Sequence, residues 1–144
     1  MQVDWDTVAA IAGTGAMDLW LLFPLGIGVN RLLLRSAEIP AAWQDKLDAF
    51  LGTQQWRESL YRVRPDQASL FGSGDDVRIK ATVDEIGRYF LDRLRTVFPG
   101  VAEEPGVLRN SRNSPLYLFS FAVSNARGQP IALRIATHLL RGLR

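Results

Sequence analysis

Near the start of the chain Val8, Ile11 and Ala12 recur at helical spacing behind Asp6, a residue suited to capping. They predict a short helix over Asp6 to Ala12 that Gly13-Thr14-Gly15 stops. Met17 to Phe23 reads MDLWLLF, a compact apolar run closed by Pro24 and short enough for a strand buried on both faces. Leu25 to Arg35 places Leu25, Val29, Leu32 and Leu33 on one side and predicts a second helix. Helix, strand and helix in that order, with short connections, predict a parallel α/β sheet.

The middle of the chain reads as helical and looser, an insertion over about 38–80. Pro40 suits a first turn, and Trp43, Leu47, Phe50 and Leu51 follow at three- and four-residue spacing before Gly52. Trp56, Leu60 and Tyr61 continue a second short piece. Arg62 to Asp76, with Pro65 and Gly72-Ser73-Gly74, reads as a long connection. The clearest helix runs from about Ala81 to Phe98, where Val83, Ile86, Phe90, Leu94 and Val97 form an apolar stripe opposite Asp84, Arg88, Asp92 and Arg95. Val107-Leu108 and Leu116 to Val123 predict two strands joined by Asn110 to Ser114. A last helix is expected over Gln129 to Leu143, with Ile131, Ile135 and Leu139 along one face.

Composition narrows the functions open to such a chain. Its 144 residues, 47% hydrophobic and 22% charged, suit one ordinary domain with a real core. The absence of cysteine excludes a disulfide scaffold, a thiolate zinc site and a cysteine nucleophile, and a single histidine excludes any site needing two imidazoles. The longest apolar run, Leu19 to Val29, is too short to span a bilayer, and the acidic start lacks the bases of a signal peptide. A cytoplasmic location with no membrane association is expected.

Charge is unevenly spread. Residues 1–104 carry eleven Lys or Arg against fifteen Asp or Glu, whereas residues 105–144 carry six Arg and no acid. Arg134 and Arg141 mark this basic end as a candidate surface for an acidic partner or a nucleic acid, although ordinary solvated faces in an Arg-rich protein would look the same.

Other candidate chemistry sits around the first strand. Gly26-x-Gly28 has the setting of a dinucleotide fingerprint, but its third position is Arg31. Asp18 is a carboxylate in an apolar strand and needs a partner or an exposed edge. Phe23, Pro24, Asn30 and Arg31 fall at the end of that strand, where ligands bind in open α/β sheets; structural roles at a helix start fit them equally. Trp5 offers a ring for stacking a planar base or for packing. His138 lies on an amphipathic helix as a packing or surface residue, and Gly-x-Ser-x-Gly is absent.

The stretch WDTVAAIAGTGAMDLWLLFPLGIGVNRLL from Trp5 to Leu33, FLGTQQW from Phe50 to Trp56 and the downstream SPLYLFSFAVSNARGQPIALRI together resemble the three-Cys-motif partner protein family. The resemblance implies an incomplete Rossmann-like, methyltransferase-type sheet. It also implies a single domain over 1–144 that matches the C-terminal half of a longer protein. S-adenosylmethionine would belong to the missing half, so no cofactor is expected for this chain. The implied partner is a protein carrying three cysteines. A sheet lacking its upstream strands would also invite self-association through an open edge. The expected role is that of a partner-dependent part of a methyltransferase-like protein, inactive alone. The alternative is a non-enzymatic interaction module using its basic C-terminal surface.

Overall fold

The computed structural model describes residues 3–64 and 77–143. It is a mixed α/β fold built on an antiparallel sheet, with β1 (Asp18–Phe23), β4 (Gly100–Val101), β5 (Gly106–Arg109) and β6 (Pro115–Val123). β6 is the central strand. β1 pairs along one side of it, from Asp18 opposite Val123 to Phe23 opposite Leu118, and β4 and β5 pair in succession along the other. All pairings are antiparallel, so the adjacent parallel strands expected from the helix–strand–helix order are not formed among the described residues. β1 and β5 do run in the same direction, but β6 lies between them.

The β5–β6 hairpin matches the expected strand pair and its turn chemistry. The Asn110 side-chain oxygen accepts from the Arg112 and Ser114 amides, both at 2.9 Å, and Asn113 takes a positive φ of 60°.

Helices cover both faces of the sheet. On one lie α1 (Trp5–Gly13), α3 (Ala41–Leu51) and α5 (Val83–Arg95), whose apolar sides meet the inward residues of β1 and β6 in one core. α5 starts where Thr82 and Glu85 cap each other reciprocally, and its Ile86, Phe90 and Leu94 are almost fully buried. Three nearly parallel rings lie at the centre. Phe23 sits 3.9 Å from Phe90 and 5.5 Å from Phe50, centroid to centroid, tying the end of β1 to α5 and α3. On the other face α6 (Gln129–Arg141) lays Ala132, Ala136 and Leu140 over Phe119, Phe121 and Val123.

The expected helix over Leu25 to Arg35 is shorter and wider than a regular α-helix. Pro24 supplies no amide, and its carbonyl accepts from both Gly28 (3.1 Å) and Val29 (2.9 Å), making a π-helical turn over Leu25–Val29 before one α turn, α2 (Asn30–Leu32).

The region expected to be a helical insertion is only partly helical. It holds α3, the short α4 (Trp56–Ser59) and an antiparallel hairpin of β2 (Tyr61–Arg64) and β3 (Val77–Lys80). The start of the expected connection over Arg62 to Asp76 is thus strand, and β3 begins just beyond it at Val77. Residues 65–76 lie outside the described residues. Ile39, Leu47, Phe50, Leu51, Trp56, Leu60 and Tyr61 all join the main core, so this segment packs as part of the body.

Gly52 ends α3 in the left-handed region, with φ 65°, and a Cβ built there would meet Trp5 Cδ1 at 2.1 Å. Gly52→Ala is therefore expected to lower unfolding stability by about 2–4 kcal/mol, combining left-handed strain with overpacking against the indole. Urea denaturation of wild type and variant measures it; a loss below about 0.5 kcal/mol would contradict the contact.

Candidate functional site

Three surfaces hold chemistry that the fold does not consume. The first is a cleft of about 550 Å³ between the segment after β1 and the β2–β3 hairpin, lined by Asn30, Arg35 and the stretch from Arg78 to Val83. Two bonds fasten its walls. Lys80 Nζ donates to the Asn30 carbonyl at 2.6 Å, and the Tyr61 hydroxyl donates to the Leu34 carbonyl at 2.7 Å. Tyr61 and Lys80 stand directly opposite in the hairpin, so both hooks act from one rung.

Burial, and secondarily the charge of Arg35, holds the Lys80 ammonium below its ordinary value. Burial also pushes the Tyr61 phenol up to about 12. Arg62 is paired with Glu85, whose carboxylate also accepts from the Thr82 amide and hydroxyl; the Thr82 bonds, more than Arg62, hold the Glu85 carboxyl below the usual range.

The second surface is a groove of about 710 Å³ between α6 and the stretch from Pro99 to Glu104. Arg95, Arg134, His138 and Arg141 line it together with Glu103 and Glu104, so the basic C-terminal end meets carboxylates there and presents a mixed surface.

The third is the free edge of β1 and the face beside it. β1 pairs only with β6, leaving its outer edge without a strand among the described residues. Trp20 and Leu22 stand opposite Phe121 and Phe119, on the face that α6 covers. Trp20 stacks on Phe119 at 5.2 Å and lies 4.6 Å from Phe121, yet it remains 40% exposed and Leu22 44%. α6 turns Arg134, Thr137 and Arg141 toward β4, so Ile131, Ile135 and Leu139 flank its buried stripe on the side toward β1, each more than half exposed.

The residues singled out from the sequence do not converge on one site. Trp5 is buried, with the Arg93 guanidinium 4.5 Å from its ring centre and Gly52 pressed against the indole, which leaves no open ring face for a planar ligand. Arg93 also donates to the Leu51 and Gly52 carbonyls, so this contact fastens α1, α3 and α5 together. Phe23 is fully buried in the ring stack. Pro24 packs beside Gly28, Asn30 offers its carbonyl to Lys80, and Arg31 is exposed but does not line the cleft. Asp18 is exposed at the start of β1, roughly 17 Å along the strand from Phe23. Arg134 and Arg141 share the α6 groove.

Comparison of the chain with protein-family models, with curated proteins and with solved structures returned no match. No helix among the described residues is long and apolar enough to cross a membrane.

The glycine pair after β1 does not fit a cofactor cradle. A Cβ on Gly26 would lie 2.0 Å from the Pro115 carbonyl oxygen, and one on Gly28 would meet the Pro24 ring at 2.9 Å. That space belongs to the chain's own packing, so no cofactor step is assigned to these residues.

Arg35, Arg78 and Lys80 were not singled out from the sequence, although Arg78 and Lys80 alternate with apolar residues in VRIK, a period of two that places them on one side of a strand. The Tyr61 hook is measurable by alkaline absorbance titration. One phenol is expected to ionise near pH 12 and to disappear from the curve in Tyr61→Phe. Because the folded pKa is raised, this group's stabilisation is complete below pH 10 and is lost between about 10 and 12 as the unfolded chain ionises first. Titration of every phenol near 10 would contradict the buried hook.

Proposed function

We propose that the chain is a partner-dependent portion of a methyltransferase-like protein of the three-Cys-motif partner type, working by docking instead of by catalysis on its own. The free edge of β1 carries this reading. An edge strand presents unpaired amides and carbonyls, and DLWLLF lacks the lysines, prolines or bulges that usually blunt such an edge. Trp20, Leu22 and the isoleucine flank of α6 add exposed apolar surface on the order of 500 Å², at the upper end of what monomers expose.

Helices on both faces and two strands of common direction are compatible with the end of a Rossmann-like sheet, since doubly wound sheets often include an antiparallel strand. The cofactor of such a protein, S-adenosylmethionine, would be held outside this chain. The occupant of the edge is a second extended apolar strand, and β1 of another copy supplies one. Antiparallel pairing about a two-fold axis brings the same residues together and needs no further segment. An interaction module built on the basic C-terminal surface is less favoured, because Arg134 and Arg141 share their groove with Glu103 and Glu104.

Sedimentation across a hundredfold range of concentration tests the docking reading. A reversible dimer is expected, with Trp20→Lys and Leu22→Lys each weakening it by about tenfold or more while circular dichroism stays unchanged. A monomer at every concentration would remove the self-pairing. Calorimetry with S-adenosylmethionine is expected to give no saturable heat, and tight binding would move cofactor chemistry into this chain.

A further inference from the structure

We propose that the cleft between the segment after β1 and the β2–β3 hairpin is a phosphate-binding site in which Arg35, Arg78 and Lys80 hold the anion. These three cations come from two separate stretches of chain and line one cavity of about 550 Å³. None of them makes an ion pair among the described residues, whereas Arg57, Arg62 and Arg95 are matched with Asp48, Glu85 and Asp92. Like charges gathered in one cleft repel one another, and a bound dianion lowers that cost. The strain is visible at Lys80, whose ammonium is disfavoured first by burial and then by Arg35.

Geometry favours an oxyanion of more than one charge. Lys80 is already positioned by its bond to the Asn30 carbonyl, so little of its freedom remains to be lost on binding. Two guanidinium groups offer forked donors that match adjacent phosphate oxygens. Thr82 and Val83, at the start of the thirteen-residue α5, also line the cleft. The first turn of that helix carries Asp84 and Glu85, and Glu85 is engaged by Thr82 and Arg62. A phosphate monoester on a free mononucleotide and the backbone of a single-stranded nucleic acid share this chemistry.

Titration of the whole chain with inorganic phosphate, a mononucleotide and a ten-nucleotide single strand, at constant ionic strength held with chloride, tests the site by calorimetry. Saturable phosphate binding is expected, weakened about tenfold by Arg35→Gln or by Arg78→Gln. Both residues are exposed, so these variants should keep the wild-type circular dichroism. If the strand binds more tightly than the mononucleotide, with a salt slope reduced by about one in each variant, the source is a nucleic-acid backbone. Equal affinities point to a free phosphate ester. Absence of saturable phosphate binding, or variants that bind as well as wild type, would overturn the site.

Discussion

The stack of Phe23, Phe50 and Phe90 is the contact on which the rest of the structure depends. It is the place where the sheet, α3 and α5 meet, with all three rings close to parallel. Among the described residues β1 is held laterally by β6 alone, so without Phe23 its inner face would have little to anchor it against the helices. Burying an aromatic ring stabilises by about 1.5–3 kcal/mol, and ring pairing adds about 0.5–1.5 kcal/mol more. Arg93 reinforces the same junction from outside, bonding the last carbonyls of α3 and covering the Trp5 indole.

That anchoring decides what stays open. Fixing Phe23 inward fixes the alternation of β1, so Leu19 and Leu21 face the core while Trp20 and Leu22 face the side of α6. α6 lies over β6 with its polar flank toward β4, and it does not reach far enough to cover Trp20 and Leu22. The uncovered apolar surface and the unpaired strand edge therefore arise from one cause, the position of β1 at the margin of the sheet.

Strong local periodicity was legible in the sequence. The apolar stripe of α5, the extent of α6 and the β5–β6 hairpin with its Asn110 turn all fall close to expectation, because each is decided by neighbours within a few residues. However, α6 buries Ala136 and Leu140 and leaves the expected face of Ile131, Ile135 and Leu139 exposed. Pairing partners were not legible. MDLWLLF is apolar at nearly every position, which suits a strand buried on both faces, yet its second face is half exposed at a sheet margin. The β2–β3 hairpin was obscured by Pro65 and the glycine triplet between its strands, although YRVR and VRIK alternate with a period of two. The roles of Trp5 and Gly52 depend on a contact between α1 and α3 that no local pattern encodes. The basic cleft was hidden for a similar reason. A count of charge along the chain pointed to residues 105–144, while Arg35, Arg78 and Lys80 sit in the stretch where acids outnumber bases.

Pro24 connects the two surfaces left without partners among the described residues. Phe23 must end β1 in the core, and the proline that follows has no amide with which to extend the ladder. The chain leaves the sheet there, and the Pro24 carbonyl gathers the Gly28 and Val29 amides into a wide turn. Gly26 permits that turn to lie against the Pro115 backbone, where any side chain would collide. The turn delivers the Asn30 carbonyl to Lys80 and the Leu34 carbonyl to Tyr61, which brings the hairpin against Arg35. The same strand whose margin is left open thus ends in the turn that positions the cation cluster, and both features follow from how β1 enters and leaves the core.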